Sequence, residues 1–419
     1  MLTPEYLANV TNDLVGLYED LEDEILKDIA RRIKKSNGLT ATAERQAEVL
    51  LENGYSLEEL EEKLKPYIKD INVEVEDLIK NSSLKHYEDE QKAYKLANKE
   101  LIDLIKNPIA NKRINACIDK LIIGTGNITE SKGVVYQGKS IPLNEFYKHE
   151  LNKAVFKIGS GAFDKQSAIR KLVNNLADSG IKEINYQDSG KNYSLESSVK
   201  MTVRTALNQL TGEISLDNAK DMKQDLMELT AHAGARPTHE VWQGQIVSLS
   251  GRDGYLSLDD IEYGEVTGFQ GANCRHNWYP FFEGISERAY TDEELEDIDP
   301  EPFEFNGKEY SYYDATQKQR QIERSIRKYK RQALMYEELE DEDMLLASKV
   351  RLQRQRQLYK DFNKAGKLKA NNFNLFTKWN YQYITIQKWK ENGYLNESME
   401  NINNMLIFIP KKKLNNVEN

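Results

Sequence analysis

Four residues able to hold a metal ion or activate a nucleophile crowd one short stretch: His232, His239, Cys274 and His276. Of the five histidines, three lie between positions 232 and 276, together with one of the two cysteines. Imidazole nitrogens and a thiolate suit tetrahedral zinc. The arrangement, His-x6-His and then Cys-x-His, departs from the close ligand pairs of ordinary zinc motifs. Polar clusters beside turns more often fix loops by hydrogen bonds. The expectation is therefore no cofactor, with a structural zinc on these four residues as the minor alternative.

The catalytic templates each lack a member. His239-Glu-Val-Trp-Gln243 begins like a metalloprotease helix, but Gln243 stands where the second histidine belongs. Cys274 with His232 or His239 could form a nucleophile pair, yet no oxyanion motif or nucleophile elbow accompanies it. A small buried cysteine is the simpler reading. Gly124-Thr-Gly126 and Gly159-Ser-Gly161 lack the strand-loop-helix context and the lysine of a phosphate-binding loop, and read as loops or helix ends. A zinc-dependent enzyme centred on His232, His239, Cys274 and His276 is the least favoured function, and the chain reads as no enzyme.

The elements that must position this cluster are short and glycine-rich. Leu226 to Ala231 and Gln245 to Leu249 read as strands. Pro237 suits the first turn of a short helix, with Gly244 just past its end. Gly234 and Gly271 supply positive φ or close backbone approach. Trp242 buries its ring against the strands and needs a partner for its indole N–H. Residues 222–300 thus form a small α+β module.

Long amphipathic helices flank it, as 39% apolar and 30% charged residues suggest. Residues 1–107 form an N-terminal helical region. Its first long helix carries a stripe from Leu14 to Ile33, with acids early, Arg31, Arg32, Lys34 and Lys35 late, and Gly38 at its close. A second helix opens at Thr40, and a third at the Ser56/Glu59 capping box, with a break or kink at Pro66 and further helix, in two pieces, from Ile68 to Lys106. The middle region, 108–221, starts with a helix at Pro108. It loosens at Gly124 and Gly126, shows β character at Gly133–Ser140, and returns to helix at Leu143–Ile158, Asp164–Ala177 and Tyr193–Leu210. Residues 301–366 hold an Asn306-Gly307 β-hairpin and then a helical arm from Tyr313 to Lys364. Ile322, Ile326, Tyr329, Ala333 and Tyr336 give the arm a coiled-coil-like seam, interrupted by the acidic run Glu337–Asp343. It reads as an antiparallel hairpin or a single interrupted rod. Residues 367–419 are an Asn- and Lys-rich tail of unknown structure.

The net charge of −10 excludes a general nucleic-acid binder. The arm is locally basic: Lys318 to Arg331 holds seven bases and one acid, and Lys349 to Lys369 eight bases and one acid. Lys318, Arg320, Arg324, Arg327, Lys328, Arg331, Arg351, Arg354 and Arg356 form a candidate interaction face for phosphates or an acidic protein. A solvated surface neutralised by the acidic run is the competing reading. Two distant cysteines point to a reducing compartment, and no apolar run is long enough for a membrane span.

The order of parts carries a resemblance. His232-Ala-Gly-Ala-Arg236-Pro-Thr-His239, Trp242-Gln-Gly244, a strand, Gly268-Phe-Gln-Gly271-Ala-Asn273-Cys-Arg275-His276 and Tyr279-Pro-Phe-Phe-Glu-Gly284 follow one another. This resembles the phage minor capsid protein 2 family and is similar in layout to the phage Mu F-like head-morphogenesis proteins. There a helix with an Arg-Thr pair, here Arg204-Thr205, precedes a strand and an Asn-Cys-Arg element, here Asn273-Cys274-Arg275. The Tyr18 to Ile25 helix and the pattern Gln319-Arg320, Glu323-Arg324, Ile326-Arg327 also resemble that family, so the likeness spans residues 1 to 365 and leaves the tail unassigned.

The resemblance implies a structural protein of a tailed-phage head, made in the bacterial cytoplasm and recruited during procapsid assembly. Its expected neighbours are portal, scaffold or major capsid proteins, near the portal or capsid interior. Phage DNA is the alternative partner, reached through helices 318–331 and 349–369. Some relatives carry a toxin or transferase domain after this core; the roughly fifty residues after the arm are too few for one.

Overall fold

A computed structural model describes residues 2–37, 57–130, 134–136, 139–141, 165–179, 182–183, 193–370, 381–385 and 406–410. The expected helices at Thr40 and Leu143–Ile158, the capping residue Ser56 and the closing residue Gly38 lie outside the described residues. The described chain is mainly helical with small antiparallel sheets.

Helices α1 (Pro4–Asn9) and α2 (Asn12–Asn37) open the chain. The α2 stripe is real: Leu14, Val15, Tyr18, Leu21, Ile25 and Leu26 are buried. They pack on α3 (Leu57–Leu96), which packs in turn on α4 (Pro108–Glu130). Two expectations change here. The helix α3 runs unbroken through Pro66 and on to Leu96; neighbouring turns hold a proline whose lost hydrogen bond alone would break a free peptide. Likewise α4 continues through Gly124 and Gly126 to Glu130, because an interior glycine costs only about 1 kcal/mol and does not by itself end a helix.

The strands β1 (Val134–Tyr136) and β2 (Lys139–Ile141) form the expected ribbon. Next come α5 (Lys165–Ser179), the short pair β3 (Lys182–Glu183) and β4 (Tyr193–Ser194), and α6 (Leu195–Asp221). Ser194 caps α6 by accepting from the Ser197 amide. This helix extends beyond the expected Leu210 and lies against α2, α3 and α4, so its buried Val199, Val203, Leu207, Leu210 and Ile214 join the main core.

The module then folds on the end of α6. Strand β5 (Leu226–Leu229) is central, with β6 (Ile246–Ser248) and β7 (Trp278–Pro280) antiparallel on either side. Between them stands α7 (Pro237–Glu240). Met227, Leu229, Trp242, Val247, Ile261, Phe269 and Trp278 form the module's own core. Strand β7 was not among the expected elements.

After α8 (Asp292–Glu296), strands β8 (Phe303–Phe305) and β9 (Lys308–Tyr310) meet at the Asn306-Gly307 turn, both residues at positive φ. The arm is a helical hairpin, α9 (Tyr312–Glu338) and α10 (Glu342–Ala365), not a single rod. Glu340 turns at φ 56° and Asp341 caps α10 through the Met344 amide. Antiparallel pairing is fixed by Gln319 with Asn363 and Glu323 with Tyr359. The seam divides its duties. Ile322 and Ile326 meet Leu352, Tyr359 and Phe362 of α10, whereas Leu334, Met335 and Tyr336 enter the main core. In the tail, β10 (Tyr381–Thr385) pairs with β11 (Leu406–Pro410). No described helix is long and apolar enough to cross a membrane.

Candidate functional site

One face of α6 organises the site. Positions 204, 205, 208, 209 and 211 lie on neighbouring turns of one helix side, and each carries a polar group that meets segment 270–277. The Arg204 guanidinium donates to Asn273 Oδ1 at 2.5 Å and to the carbonyls of Leu7 and Ala8 at 2.7 and 3.0 Å. Thr205 Oγ1 accepts from the Asn273 amide at 2.8 Å. Asn208 donates to the His276 carbonyl, Gln209 to the Gln270 carbonyl, and Thr211 Oγ1 accepts from Asn277. Asn273 itself adopts φ 60°, a left-handed position that asparagine tolerates better than most residues. The Arg-Thr pair and the Asn-Cys-Arg element are thus bonded to each other, and Arg204 ties both to the N-terminal helix α1. Burial, then the nearby Arg275 and Arg320, pulls the Arg204 pKa below its ordinary range.

This clamp presents the Cys/His centre. His239, Cys274 and His276 are buried and converge. Their facing atoms are His239 Nδ1 and His276 Nδ1, 3.3 Å apart, with Cys274 Sγ 4.0 and 3.5 Å from them. The opposite nitrogens are anchored: His239 Nε2 lies 2.7 Å from the Thr267 carbonyl, and His276 Nε2 3.1 Å from Gln243 Oε1. Gln243 Oε1 also accepts from the His232 amide, which fixes oxygen rather than nitrogen in that place. The residue that removes the metalloprotease motif therefore orients an imidazole.

His232 stands apart from the convergent trio. Its ring stacks on His276 with centroids 4.4 Å apart, while its Nδ1 lies 2.8 Å from the Ala233 carbonyl and 3.2 Å from the Arg275 guanidinium. Burial, then Arg275, lowers its pKa to about 3. Burial also lowers His239 and, with the neighbouring imidazoles, takes His276 well below the ordinary histidine value. Cys274 is raised by burial, against hydrogen bonds from the backbone and the charges of Arg236 and Arg275. At neutral pH the histidines are neutral and the thiol is protonated. A buried, protonated thiol is a poor nucleophile.

The other motif residues hold this geometry. Arg236 precedes α7 and reaches back to the Ala272 carbonyl. Pro237 opens α7, and Gly244 follows the turn that ends it. Trp242 packs on His239, His276 and Phe269. Gly234 sits at φ 67° against Tyr312. Gly271 has a different role: a Cβ there would meet the Val266 carbonyl oxygen at 2.4 Å, so only hydrogen fits.

The candidate basic face is partly internal. Arg331 donates to Glu22 and Arg327 pairs with Glu196, both at 2.7 Å, and Arg356 is buried. Burial pushes Glu196 up, but Arg327 and Lys200 more than reverse this, leaving it below its ordinary value. Lys318 bonds Gln321, and Lys328 is half-buried. Arg324, Arg351 and Arg354 are exposed. Arg320 sits near Arg204 and Arg236, and burial lowers its pKa. Within the acidic run, Glu338 pairs with Arg31, Glu340 with Lys34, and Asp341 with Arg170, all on other helices.

A second polar cluster went unread in the sequence. His86 and Glu90 of α3 are fully buried against Ser215 and Asn218 of α6. His86 Nε2 lies 2.8 Å from Ser215 Oγ, and Asn218 donates to Glu90 at 2.7 Å. The signal was available: Ser82, Ser83, His86 and Glu90 fall on the same helix face as Ile79, Tyr87 and Tyr94.

Comparison with known proteins places these features. The family model described as Phage minor capsid protein 2 matches residues 2–364, from α1 to the end of the helical arm. A protein of Lactococcus phage LL-H named "Structural protein" is 26% identical over 211 residues, covering 49% of this chain and 53% of that relative. The chain thus spans about half the length of the curated relative it matches. No solved structure matches it significantly.

Proposed function

Because the chain belongs to the phage minor capsid protein 2 family, we propose that it is a structural component of a tailed-phage head. It acts in procapsid assembly and sits at the portal or on the capsid interior, against portal, scaffold or major capsid proteins. The observation that carries this reading is the bonded pair Arg204-Thr205 and Asn273. The residues on which the sequence resemblance rests hold three parts of the fold together: α1, α6 and the module. They brace a frame of long helices rather than line a cleft.

The centre at His239, Cys274 and His276 supports the same non-enzymatic reading. It is buried, its thiol is held protonated, and its histidines are tied to Thr267 and Gln243. General acid–base work needs a group reachable by substrate with a pKa near the working pH, and neither imidazole meets both conditions.

The test is an asymmetric reconstruction of procapsids and virions of the phage that carries the gene. The expected result is density for the α2–α3–α6–α9 frame inside the shell or beside the portal. A complete head map with no density for this frame would overturn the placement.

A further inference from the structure

We propose that His239, Cys274 and His276 form a three-ligand site for a zinc-class divalent ion that staples the module together. The proposal goes beyond the head-protein reading and does not depend on it.

Distances come first. With Zn–N near 2.05 Å and Zn–S near 2.3 Å, tetrahedral geometry sets ligand atoms about 3.3 Å apart for two nitrogens and about 3.6 Å for nitrogen and sulfur. The observed separations are 3.3 Å between the Nδ1 atoms and 3.5 and 4.0 Å from sulfur to each. Two of the three edges agree closely, and the third closes with a small rotation of the Cys274 side chain.

Proton placement comes second. The Thr267 carbonyl can only accept, so His239 carries its hydrogen on Nε2. Gln243 Oε1, already fixed as an acceptor by the His232 amide, likewise places the His276 hydrogen on Nε2. Both Nδ1 atoms then present lone pairs toward each other, and neither imidazole supplies a hydrogen between them. The single thiol hydrogen can satisfy one of them. A cation at the centre satisfies all three atoms at once. Oxygen acceptors behind each ligating imidazole are also what metal-bound histidines require, since they fix tautomer and ring direction.

The ligand set selects the ion. One thiolate with two imidazoles favours zinc over magnesium or calcium, which take oxygen ligands. On binding, the S–metal bond forms as the thiol proton leaves to solvent, and the fourth position falls to water or an exogenous ligand. His232, stacked on His276 with its Nδ1 at the Ala233 carbonyl, orients the site instead of ligating. The ion would join segment 274–276 to α7, bridging a sequence separation of 35 from His239 to Cys274, and so fix the turns that α6 grips.

The experiment uses the full chain, stripped with a chelator and titrated with Co2+, then with Zn2+. One equivalent of Co2+ should produce intense thiolate-to-cobalt charge-transfer absorption, abolished by an equivalent of Zn2+. Cys274→Ser should remove that absorption and Cys117→Ser should leave it intact. Gln243→Leu, which keeps every ligand, should weaken the ion about 10–100-fold while the absorption remains at saturating Co2+. If Cys274→Ser fails to fold, the Gln243→Leu and Cys117→Ser results decide. Folded wild-type protein with no charge-transfer absorption at saturating Co2+ overturns the site. So does absorption that disappears with Cys117→Ser.

Discussion

Arg204 and Asn273, 69 residues apart in sequence, are joined by a 2.5 Å hydrogen bond from guanidinium to side-chain carbonyl. The remaining guanidinium nitrogens hold the carbonyls of Leu7 and Ala8. One buried side chain therefore links the first helix, the long α6 and the module.

Replacing Arg204 with alanine should be costly, because it takes the donor from one buried and two half-buried acceptors. We expect a loss of about 3 kcal/mol in unfolding free energy, measured by urea denaturation of the full chain. Arg204→Lys should recover only part of it, since an ammonium cannot serve the fork that reaches all three. An Arg204→Ala protein as stable as wild type would contradict the clamp.

The buried pair Arg331 and Glu22 makes a second prediction. Their side chains are 9% and 5% exposed, and the guanidinium approaches Glu22 Oε2 at 2.7 Å. Arg331→Met should cost about 3–5 kcal/mol by removing the guanidinium from a buried carboxylate. Glu22→Met with Arg331→Met should cost much less, as paired removal leaves no unpartnered charge. A double mutant as damaged as the sum of the single mutants would show that the two residues act independently.

Glu90 predicts a pH dependence. Burial raises its carboxyl from 4.5 to about 7, against the hydrogen bonds from Ser215 and Asn218. A raised folded-state pKa means that folding favours the protonated form. Its stabilising effect is full below 4.5 and is lost as pH rises through about 7. Glu90→Gln keeps the neutral shape, so it should match wild type at pH 4 and exceed it by about 3 kcal/mol at pH 8. His86, lowered by burial to about 3, shifts stability in the opposite sense as pH falls from 6.5. With its pKa at about 3 it is uncharged in the fold at both pH 4 and pH 8. It therefore adds little to the difference between the two proteins, although its Nε2 lies 3.9 Å from Glu90 Oε1. A difference that does not change with pH would contradict the burial of Glu90.

Much of the frame was legible because local signals and tertiary packing agree. The α2 stripe, the proline at the start of α4 and the Asn306-Gly307 turn all stand where their chemistry places them. Failures came where packing overrides a local signal. Pro66 read as a break or kink and Gly124 and Gly126 as a loosening, but α3 and α4 continue as helix through them. Strand β7 was hidden because Trp278-Tyr-Pro280 contains a proline; as an edge strand it tolerates one at its end.

The site was legible as composition and not as geometry. Spacing put His232, His239, Cys274 and His276 in one group, but the closeness of His239 to His276 depends on how the turns around α7 and β7 fold together. Gln243 was read as a missing ligand, and only its bonds to His276 and the His232 amide give it a positive role. The basic residues of the arm were counted correctly along the chain. Their partners Glu22 and Glu196 lie on other helices, beyond the reach of any local pattern.

The most direct test of the head-protein account is quantitative mass spectrometry of purified procapsids and virions from the phage that carries the gene. The account predicts that the chain is present at a fixed ratio to the portal protein, retained through density-gradient purification. Heads that assemble fully and contain none of it would contradict the account.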